Sequence, residues 1–205
     1  MNQDTTLRAL GEVPIFPLGT VLFPRGVLPL RVFERRYVDM VRECLREELP
    51  FGICRITRGA EVGSAAEHED VGCLARIADC DMPQPGVLSV RAVGLERFRV
   101  RGRRVDRGLV RATIEPIASD PRVLPPTDYE GCVTLLSRVI EELEARGGPS
   151  LIDKPYELDS AGWIANRIAE VLPLPSETRQ RLMTLDDPVA RLTLVDGFLR
   201  RAEEE

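Results

Sequence analysis

The stretch at residues 87–117, VLSVRAVGLERFRVRGRRVDRGLVRATIEPI, decides the fold class of this 205-residue chain. Apolar and polar residues alternate over 87–93, 97–105 and 109–117, and the turn Asp106-Arg107-Gly108 separates the last two runs. Alternation with a period of two is typical of half-buried strands, and a short glycine-containing turn joins antiparallel neighbours. The stretch therefore predicts three strands of an antiparallel sheet.

The sheet extends toward the amino terminus and includes one helix. Apolar runs predict further strands at 13–18, 27–32, 51–56 and 71–82. Prolines lie in or beside the first two of them. Because proline cannot donate to a ladder, we expect these two strands at edges, at bulges or at the mouth of a barrel. Over 34–47, apolar residues recur with helical spacing and predict one amphipathic helix packed on the sheet. We read the strands as an antiparallel meander.

After residue 117 the pattern changes from strands to helices. A proline-rich joint precedes Thr127 and Glu130, which have the spacing of a capping box at the start of a helix. Asp187 followed by Pro188 is typical of a helix N-cap and first turn. The predicted helices begin near residues 127, 160, 177 and 188. The sequence thus predicts an α+β protein with a β-rich domain over residues 1–120 and a helical bundle over residues 121–205.

The composition is that of a globular protein. Hydrophobic residues make up 43% and charged residues 30%, which excludes a disordered or fibrous chain. No apolar run approaches the roughly 18 residues of a membrane span, and the first residues lack a signal-peptide pattern. We therefore expect a cytoplasmic protein with no membrane partner. Five cysteines, an odd number, indicate reduced and mostly buried thiols. A net charge of -5 argues against nucleic acid as the main partner.

Candidate metal and catalytic residues are few. His68, the only histidine, lies among carboxylates in a predicted surface loop. Cys73 and Cys80 are an odd number of positions apart, so on one strand they face opposite sides and do not chelate one ion. Asp79 and Asp81 share a strand face, but they precede a turn, where aspartate is common for structural reasons. We predict no metal site, no cofactor and no catalytic residue.

Several motifs resemble the amino-terminal substrate-binding region of the Lon ATP-dependent proteases. The segments that carry the resemblance are Val13-Pro14-Ile15-Phe16-Pro17-Leu18, Val21-Leu22-Phe23-Pro24, Leu28-Pro29-Leu30, Val93-Gly94 followed by Arg97-Phe98, and Trp163-Ile164-Ala165. The glycine followed three residues on by Arg-Phe is the most specific of them. The resemblance covers residues 12–202. It implies a PUA-like pseudo-β-barrel with one inserted helix, followed by a C-terminal helical bundle.

The resemblance also implies a function. Lon proteases continue into an ATPase module and a Ser-Lys protease module. We expect neither here, because no Gly-x-x-x-x-Gly-Lys-Ser/Thr motif occurs. What carries over is the role of the amino-terminal region, which holds protein chains. We therefore expect a stand-alone, non-catalytic protein-binding domain whose partners are unfolded or extended protein segments or another protein, and which acts as an adaptor in proteolysis.

Apolar side chains near the amino terminus are the predicted binding surface. Aromatic residues are concentrated in the first quarter of the chain, around a proline-rich turn and the helix that follows it. A strand edge at this turn would offer unpaired main chain and apolar pockets, which an extended peptide needs for strand addition. The predicted binding residues are Phe16, Leu22, Phe23, Pro24, Phe33 and Tyr37.

An arginine-rich strand is the alternative surface. Residues two apart share one face of a strand, so we expect the arginines to project together while Phe98 and Val100 point to the core. The predicted face consists of Arg97, Arg99, Arg101 and Arg103. PUA-like barrels sometimes bind RNA, but this face lacks aromatic residues that would stack on bases. Protein binding is therefore the favoured function and RNA binding the alternative.

Overall fold

The computed structural model describes residues 12–147 and 151–203, and the chain divides into two compact units between Ala118 and Ser119. The described strands of the first unit are β1 (Val13–Leu18), β2 (Val27–Val32), β3 (Phe51–Arg58), β4 (Glu67–His68), β5 (Val71–Gln84), β6 (Val87–Asp106) and β7 (Leu109–Pro116). Helix α1 (Arg35–Glu47) lies between β2 and β3. The predicted combination of strands with one amphipathic helix is confirmed. The domain boundary after residue 120 stays a prediction.

Five of the described strands close into a ring in the order β1, β7, β6, β5, β3, because β1 pairs with both β7 and β3. The β1–β3 pairing is parallel, with Ile15 opposite Gly52, and the other pairings of the ring are antiparallel. The predicted meander is therefore wrong, since a meander pairs only strands that follow one another. The ring agrees with the predicted pseudo-barrel, and β2 lies outside it, paired with β6.

Prolines fit β1 and β2 in different ways. β1 pairs with β7 over Val13–Ile15 and with β3 over Ile15–Leu18, so Pro14 and Pro17 each lie where one side of the strand has no partner. Pro29 lies on β2, an edge strand that pairs only with β6 among the described strands. In both strands, each proline therefore lies where one side of the strand has no hydrogen-bonded neighbour.

Two apolar cores lie on opposite faces of the strands. β1 contributes Val13 and Ile15 to the smaller core, and Phe16 and Leu18 to the larger one. The other members of the smaller core are Cys54, Leu74, Phe98, Val100, Val110 and Ala112. The larger core includes the buried face of α1 and the inward side of β2. Because β1 is covered on both faces, all six of its residues are buried and its sequence is continuously apolar rather than alternating.

β6 is a single strand of 20 residues, where the sequence predicted two strands. Near its centre Gly94 lies against the turn at residues 23–26. A Cβ atom on Gly94 would overlap the carbonyl oxygen of Phe23. The Gly94 amide donates to the Gly26 carbonyl over 2.9 Å, and the Arg25 amide donates to the Gly94 carbonyl over 2.9 Å. The glycine is therefore needed for space, and its two hydrogen bonds fix the turn on β6.

The second unit is helical. Its described elements are a 3₁₀ helix (Thr127–Tyr129) and helices α2 (Glu130–Arg146), α3 (Ala161–Val171), α4 (Ser176–Thr184) and α5 (Pro188–Glu203). The predicted N-cap Asp187 is confirmed, because its carboxylate accepts from the amide of Val189 at 2.8 Å. The predicted capping box is wrong, because Thr127 begins the 3₁₀ helix and α2 has no side-chain cap. None of the helices in the described ranges is long and apolar enough to cross a membrane.

Arg191 on α5 is the buried polar centre of the second unit, with only 1% of its surface exposed. Its guanidinium makes a two-pronged ion pair with Asp120, at 2.5 and 3.3 Å. It also donates to the side-chain oxygen of Asn166 on α3 at 3.1 Å and to the carbonyl of Leu182 on α4 at 3.0 Å. One side chain on α5 thereby joins the segment before α2 to both α3 and α4.

Candidate functional site

An apolar groove with a volume of about 370 Å³ lies beside β2 in the first unit. Its lining comes from β1, from every residue of β2 after Val27, from the start of α1 and from the loop after β3. Successive side chains of a strand point to opposite faces of the sheet. A groove that is lined by consecutive residues of one strand must therefore run along an edge of that strand. The groove therefore runs along the outer edge of β2, the edge that β6 does not occupy.

Two stacked rings form the floor of this groove. Phe16 on β1 and Tyr37 on α1 have ring centroids 4.1 Å apart, with an angle of 21° between the ring planes. The Arg36 guanidinium carbon lies 4.5 Å from the centroid of the Tyr37 ring, and Arg36 donates to the carbonyl of Gly108 at 2.7 Å. Burial raises the pKa of the Tyr37 hydroxyl, so this group stays protonated at neutral pH. The floor is thus a packed aromatic surface that carries one hydroxyl.

The rim of the groove carries exposed apolar side chains beside Arg31 and two carboxylates. Phe33 is 53% exposed and Val62 is 58% exposed, which is uncommon for large apolar side chains at one concave site. The two carboxylates on the rim are already bonded. Glu61 accepts from a backbone amide at 2.6 Å, and Glu34 pairs with Arg36 at 3.2 Å. An apolar surface around a concave site favours an apolar ligand.

The structure separates the predicted binding residues into two groups. Those that line the groove are Phe16, Phe33 and Tyr37. Leu22 and Phe23 are 3% and 0% exposed, so the prediction that they lie accessible at a strand edge is wrong. Pro24 is half-buried and lies outside the groove. The physical reason is the contact with Gly94, which holds the turn against β6 rather than at a free edge.

Sequence reasoning missed other residues of the groove. Leu18, Leu28 and Leu30 line it from β1 and β2, and Val62 lines it from the loop after β3. The spacing of Leu28 and Leu30, two apart in a proline-containing edge strand, is a signal that could have found them. Val62 lies in a polar loop, and no local pattern marks it.

The arginine face is smaller than the sequence predicted. Arg99, Arg101 and Arg103 are exposed, whereas Arg97 is 4% exposed and donates to the carbonyl of Ala118 at 3.4 Å. The predicted exposure of Arg97 is wrong. The segment after β7 runs along this part of β6. Its backbone hydrogen-bonds to Arg97, on a face of the strand that the sequence pattern predicted to be exposed.

Two of the three exposed arginines of this face lie beside carboxylates. Arg101 pairs with Glu115 on β7, and Arg103 pairs with Asp70 just before β5. Neighbouring opposite charges cancel most of the field that would attract an anion from solution. The two ion pairs therefore reduce the positive potential of this face.

Most of the cysteines and aspartates considered as candidate catalytic groups are buried or already bonded. Four of the five cysteines are buried, and burial raises the pKa of Cys44 to about 11, so its thiol is protonated at neutral pH. Asp79 and Asp81 are exposed, and each accepts a hydrogen bond from the next amide of its own strand. Among residues 12–147 and 151–203, no three histidine, cysteine, aspartate or glutamate side chains are placed to hold a metal ion.

His68 lies in β4 and is buried, so its predicted place in a surface loop is wrong. Its Nδ1 atom lies 2.7 Å from the carbonyl oxygen of Glu69, an acceptor, so Nδ1 carries the proton and donates it. Its Nε2 atom is buried and has no hydrogen-bond partner in the described part of the chain. Burial lowers the pKa of His68, because a charged imidazolium would lose its solvation there.

The protein is expected to lose stability in mild acid through His68. In the unfolded chain this histidine takes up a proton near its ordinary pKa of about 6.5, whereas the folded protein binds that proton only at lower pH. The loss of folding stability caused by His68 is therefore absent well above about pH 6.5 and grows as the pH falls below this value. Denaturant unfolding at about pH 7.5 and about pH 5 should show a smaller acid loss for His68→Phe than for the unchanged chain. Equal losses in both proteins would contradict this expectation.

The chain as a whole matches one protein family. Residues 12–201 match the family model of the ATP-dependent protease La (LON) substrate-binding domain. The Lon protease of Anaeromyxobacter dehalogenans is 27% identical over 197 residues, which cover 94% of this chain and 23% of that protein. Lon protease 2 of Myxococcus xanthus is 26% identical over 197 residues, which cover 94% of this chain and 24% of that protein. The chain thus spans about a quarter of the length of these curated relatives.

Solved structures share the fold. The crystal structure of a Lon N-terminal domain protein from Xanthomonas campestris has a TM-score of 0.72 and 36% identity, and the match covers 91% of this chain and 97% of that chain. The N-terminal domain of the Mycobacterium avium complex Lon protease has a TM-score of 0.61 at 15% identity, which is a likeness of fold alone. The predicted Lon-type α+β fold is confirmed. From the family model and these relatives together, we conclude that the chain belongs to the family of ATP-dependent protease La (LON) substrate-binding domains.

Proposed function

We propose that this chain is a non-catalytic protein-binding module that holds unfolded or extended protein segments in the groove beside β2. The observation that carries the proposal is the exposure of Phe33 and Val62 above the stacked rings of Phe16 and Tyr37. A concave apolar surface accepts apolar side chains of many sequences, and unfolded proteins expose such side chains. The role that the family description names, substrate binding, supports the proposal. A cytoplasmic location and an adaptor role in proteolysis are part of it.

RNA binding is the less favoured alternative. RNA affinity depends on unopposed positive charge and falls steeply with salt. On β6, Arg101 and Arg103 each lie beside a carboxylate, and the groove itself is apolar. Binding in the groove is instead expected to persist as salt is raised, because apolar contacts are not screened.

Serine in place of Phe33 or Val62 is expected to weaken binding of an unfolded protein by about tenfold or more, as the loss of an interface anchor does. Both side chains are more than half exposed, so the stability of the fold should change little. A labelled protein that is kept unfolded by reduction and carboxymethylation serves as the ligand. Fluorescence anisotropy measures the affinity at low and at high salt.

Met82→Ser and Val105→Ser are the matched controls. These side chains are 48% and 61% exposed and lie outside the groove. Both variants should bind like the unchanged chain. Equal affinities of the groove variants and the control variants would show that the groove is not the binding surface. An affinity that disappears at high salt would favour the electrostatic alternative.

A further inference from the structure

We propose that an extended protein segment binds in this groove as an added strand, hydrogen-bonded to the outer edge of β2. The inference rests on the proposed function and adds the chemistry that the groove recognises. The segment would supply amide groups at every second residue, apolar side chains with the same alternation, and an acidic residue near Arg31. Four observations support this mode of binding.

The register of β2 defines which main-chain groups face outward. In an antiparallel pair, residues that bond to the neighbouring strand alternate with residues that face away. The Gly94 amide of β6 donates to the Gly26 carbonyl over 2.9 Å. By this alternation, the main-chain groups of residues 28, 30 and 32 face β6. Those of residues 27, 29 and 31 face the outer edge. Pro29 agrees with this assignment, because it has no amide proton and would leave a gap in the ladder if it faced β6.

The outer edge of β2 thus presents a row of acceptors. The outward carbonyls belong to Val27, Pro29 and Arg31, and the outward amides belong to Val27 and Arg31. No strand or backbone group of the described residues bonds to this edge. Carbonyls at a two-residue spacing match the amides that an extended segment presents at every second residue. The outer edge of β2 therefore offers main-chain groups to which one further strand can hydrogen-bond.

The open edge of β5 is protected in ways that the edge of β2 is not. β5 extends past its pairing with β3, so the residues after Ala75 lie on an edge. There the side chains of Asp79 and Asp81 accept hydrogen bonds from the following amides at 3.0 and 2.7 Å, and the pairing with β6 shifts register. Charged residues, bonded amides and bulges protect an edge from pairing. β2 has no register shift, and its Pro29 removes one donor but no acceptor.

The Tyr37 hydroxyl supplies a third observation. Only 4% of Tyr37 is exposed, and the residue lines the groove. Its hydroxyl bonds to no other described residue, yet it is not sealed in the interior. A hydroxyl without a partner in an apolar groove favours a ligand that brings a carbonyl, and every peptide unit brings one.

Arg31 gives the groove its charge preference. It is exposed, lies on the groove, and has no ionic partner in the described part of the chain. The carboxylates of the rim, Glu34 and Glu61, are already bonded within the protein. A segment with a glutamate or aspartate at the position that adjoins Arg31 would therefore bind better than one with lysine there.

Backbone methylation of a probe peptide tests the inference. The probe is a short fluorescein-labelled peptide with leucine at every second position and threonine or glutamate between them, made with one N-methyl group at each position in turn. Methyl groups at alternate positions are expected to weaken binding by about tenfold each, because each removes an amide that donates to β2. At the intervening positions we expect a change of less than about threefold, because those amides face away. Anisotropy titration measures the whole series.

Two variants of one residue provide the matching test in the protein. Arg31→Pro removes the outward amide and the charge, and like Pro29 it leaves the bonds to β6 in place. Arg31→Ala removes the charged side chain but keeps the outward amide. We expect Arg31→Pro to bind the probe about tenfold more weakly than Arg31→Ala. Thermal unfolding shows whether each variant is folded. The methylation series is measured on the unchanged chain, so it does not depend on the folding of either variant.

The outcomes separate this inference from the proposed function. Methylation effects without a two-residue period overturn strand addition, as do equal affinities of the two folded Arg31 variants. If Phe33→Ser still weakens binding in that case, the proposed function stands and the groove recognises side chains alone. If neither the probe nor an unfolded protein binds the unchanged chain, the proposed function fails as well.

Discussion

Alanine in place of Gly94 is expected to lower the free energy of unfolding by about 3 kcal/mol, the upper end of the usual cost of overpacking. The added Cβ would overlap the Phe23 carbonyl oxygen and lie 3.1 Å from the Phe23 carbonyl carbon and 3.3 Å from the Arg25 amide nitrogen. All of these are backbone atoms, so no side-chain rotation relieves the clash. The turn has to move away from β6, which lengthens both backbone hydrogen bonds that Gly94 makes with it.

Gly102→Ala is the matched control on the same strand. Nothing lies within 4 Å of a Cβ atom built on Gly102, so the free energy of unfolding should stay within about 0.5 kcal/mol of the unchanged value. Urea unfolding followed by circular dichroism compares the two variants. A Gly94→Ala protein as stable as the control would mean that close contact with β6 does not hold the turn, and the burial of Phe23 would need another cause.

Leucine in place of Arg191 is expected to destabilise the helical unit by about 3 kcal/mol, because it removes the buried guanidinium that pairs with the carboxylate of Asp120. This is the lower end of the range for buried ion pairs, since the Asp120 side chain is 18% exposed. Asn166 and Leu182 lose the same donor. Trp163, the only tryptophan, is buried in this unit. Its fluorescence therefore follows the unfolding of the helices in guanidinium chloride.

A control variant and a double variant identify the cause of this loss. Arg181 on α4 pairs with Glu177 at 2.8 Å on the exposed surface, so Arg181→Leu should change the free energy of unfolding by less than about 0.5 kcal/mol. Adding Asp120→Leu to Arg191→Leu should recover part of the stability, because it removes the carboxylate that has lost the Arg191 guanidinium. If the double variant is less stable than Arg191→Leu, the loss comes from packing and not from the broken ion pair between Arg191 and Asp120.

Local sequence patterns could predict the fold class but not the closure of the ring. The alternation at 109–117 and the helical spacing at 34–47 are local signals, and both elements are present. The ring depends on pairs such as Val13 with Ala112, which are far apart in the sequence. No local pattern reveals that β1 changes its partner at Ile15, so its prolines resembled those of an edge strand.

The candidate site was only partly predictable, because burial separates residues that look alike in the sequence. Phe23 and Phe33 each follow an apolar residue, yet the first is 0% and the second 53% exposed. Contact with Gly94, in a distant strand, makes the difference. Arg97 and Arg99 are two positions apart on β6, which predicts that they share one face of the strand. The chain after β7 nevertheless bonds to Arg97. A period of two assigns the faces of a strand and does not say which part of a face another segment covers.

The closed ring has a consequence for the timing of folding. β1 is synthesised before its partner β7 by roughly a hundred residues, so at about 5 to 20 residues per second one side of β1 waits on the order of 5 to 20 seconds. An unpaired strand edge in a nascent chain is a place where chains aggregate. Pro17, which has no partner on this side of β1, removes an amide that a wrong partner would need for pairing there. Pro17 therefore limits wrong pairing at this side of β1 during the interval before the ring can close.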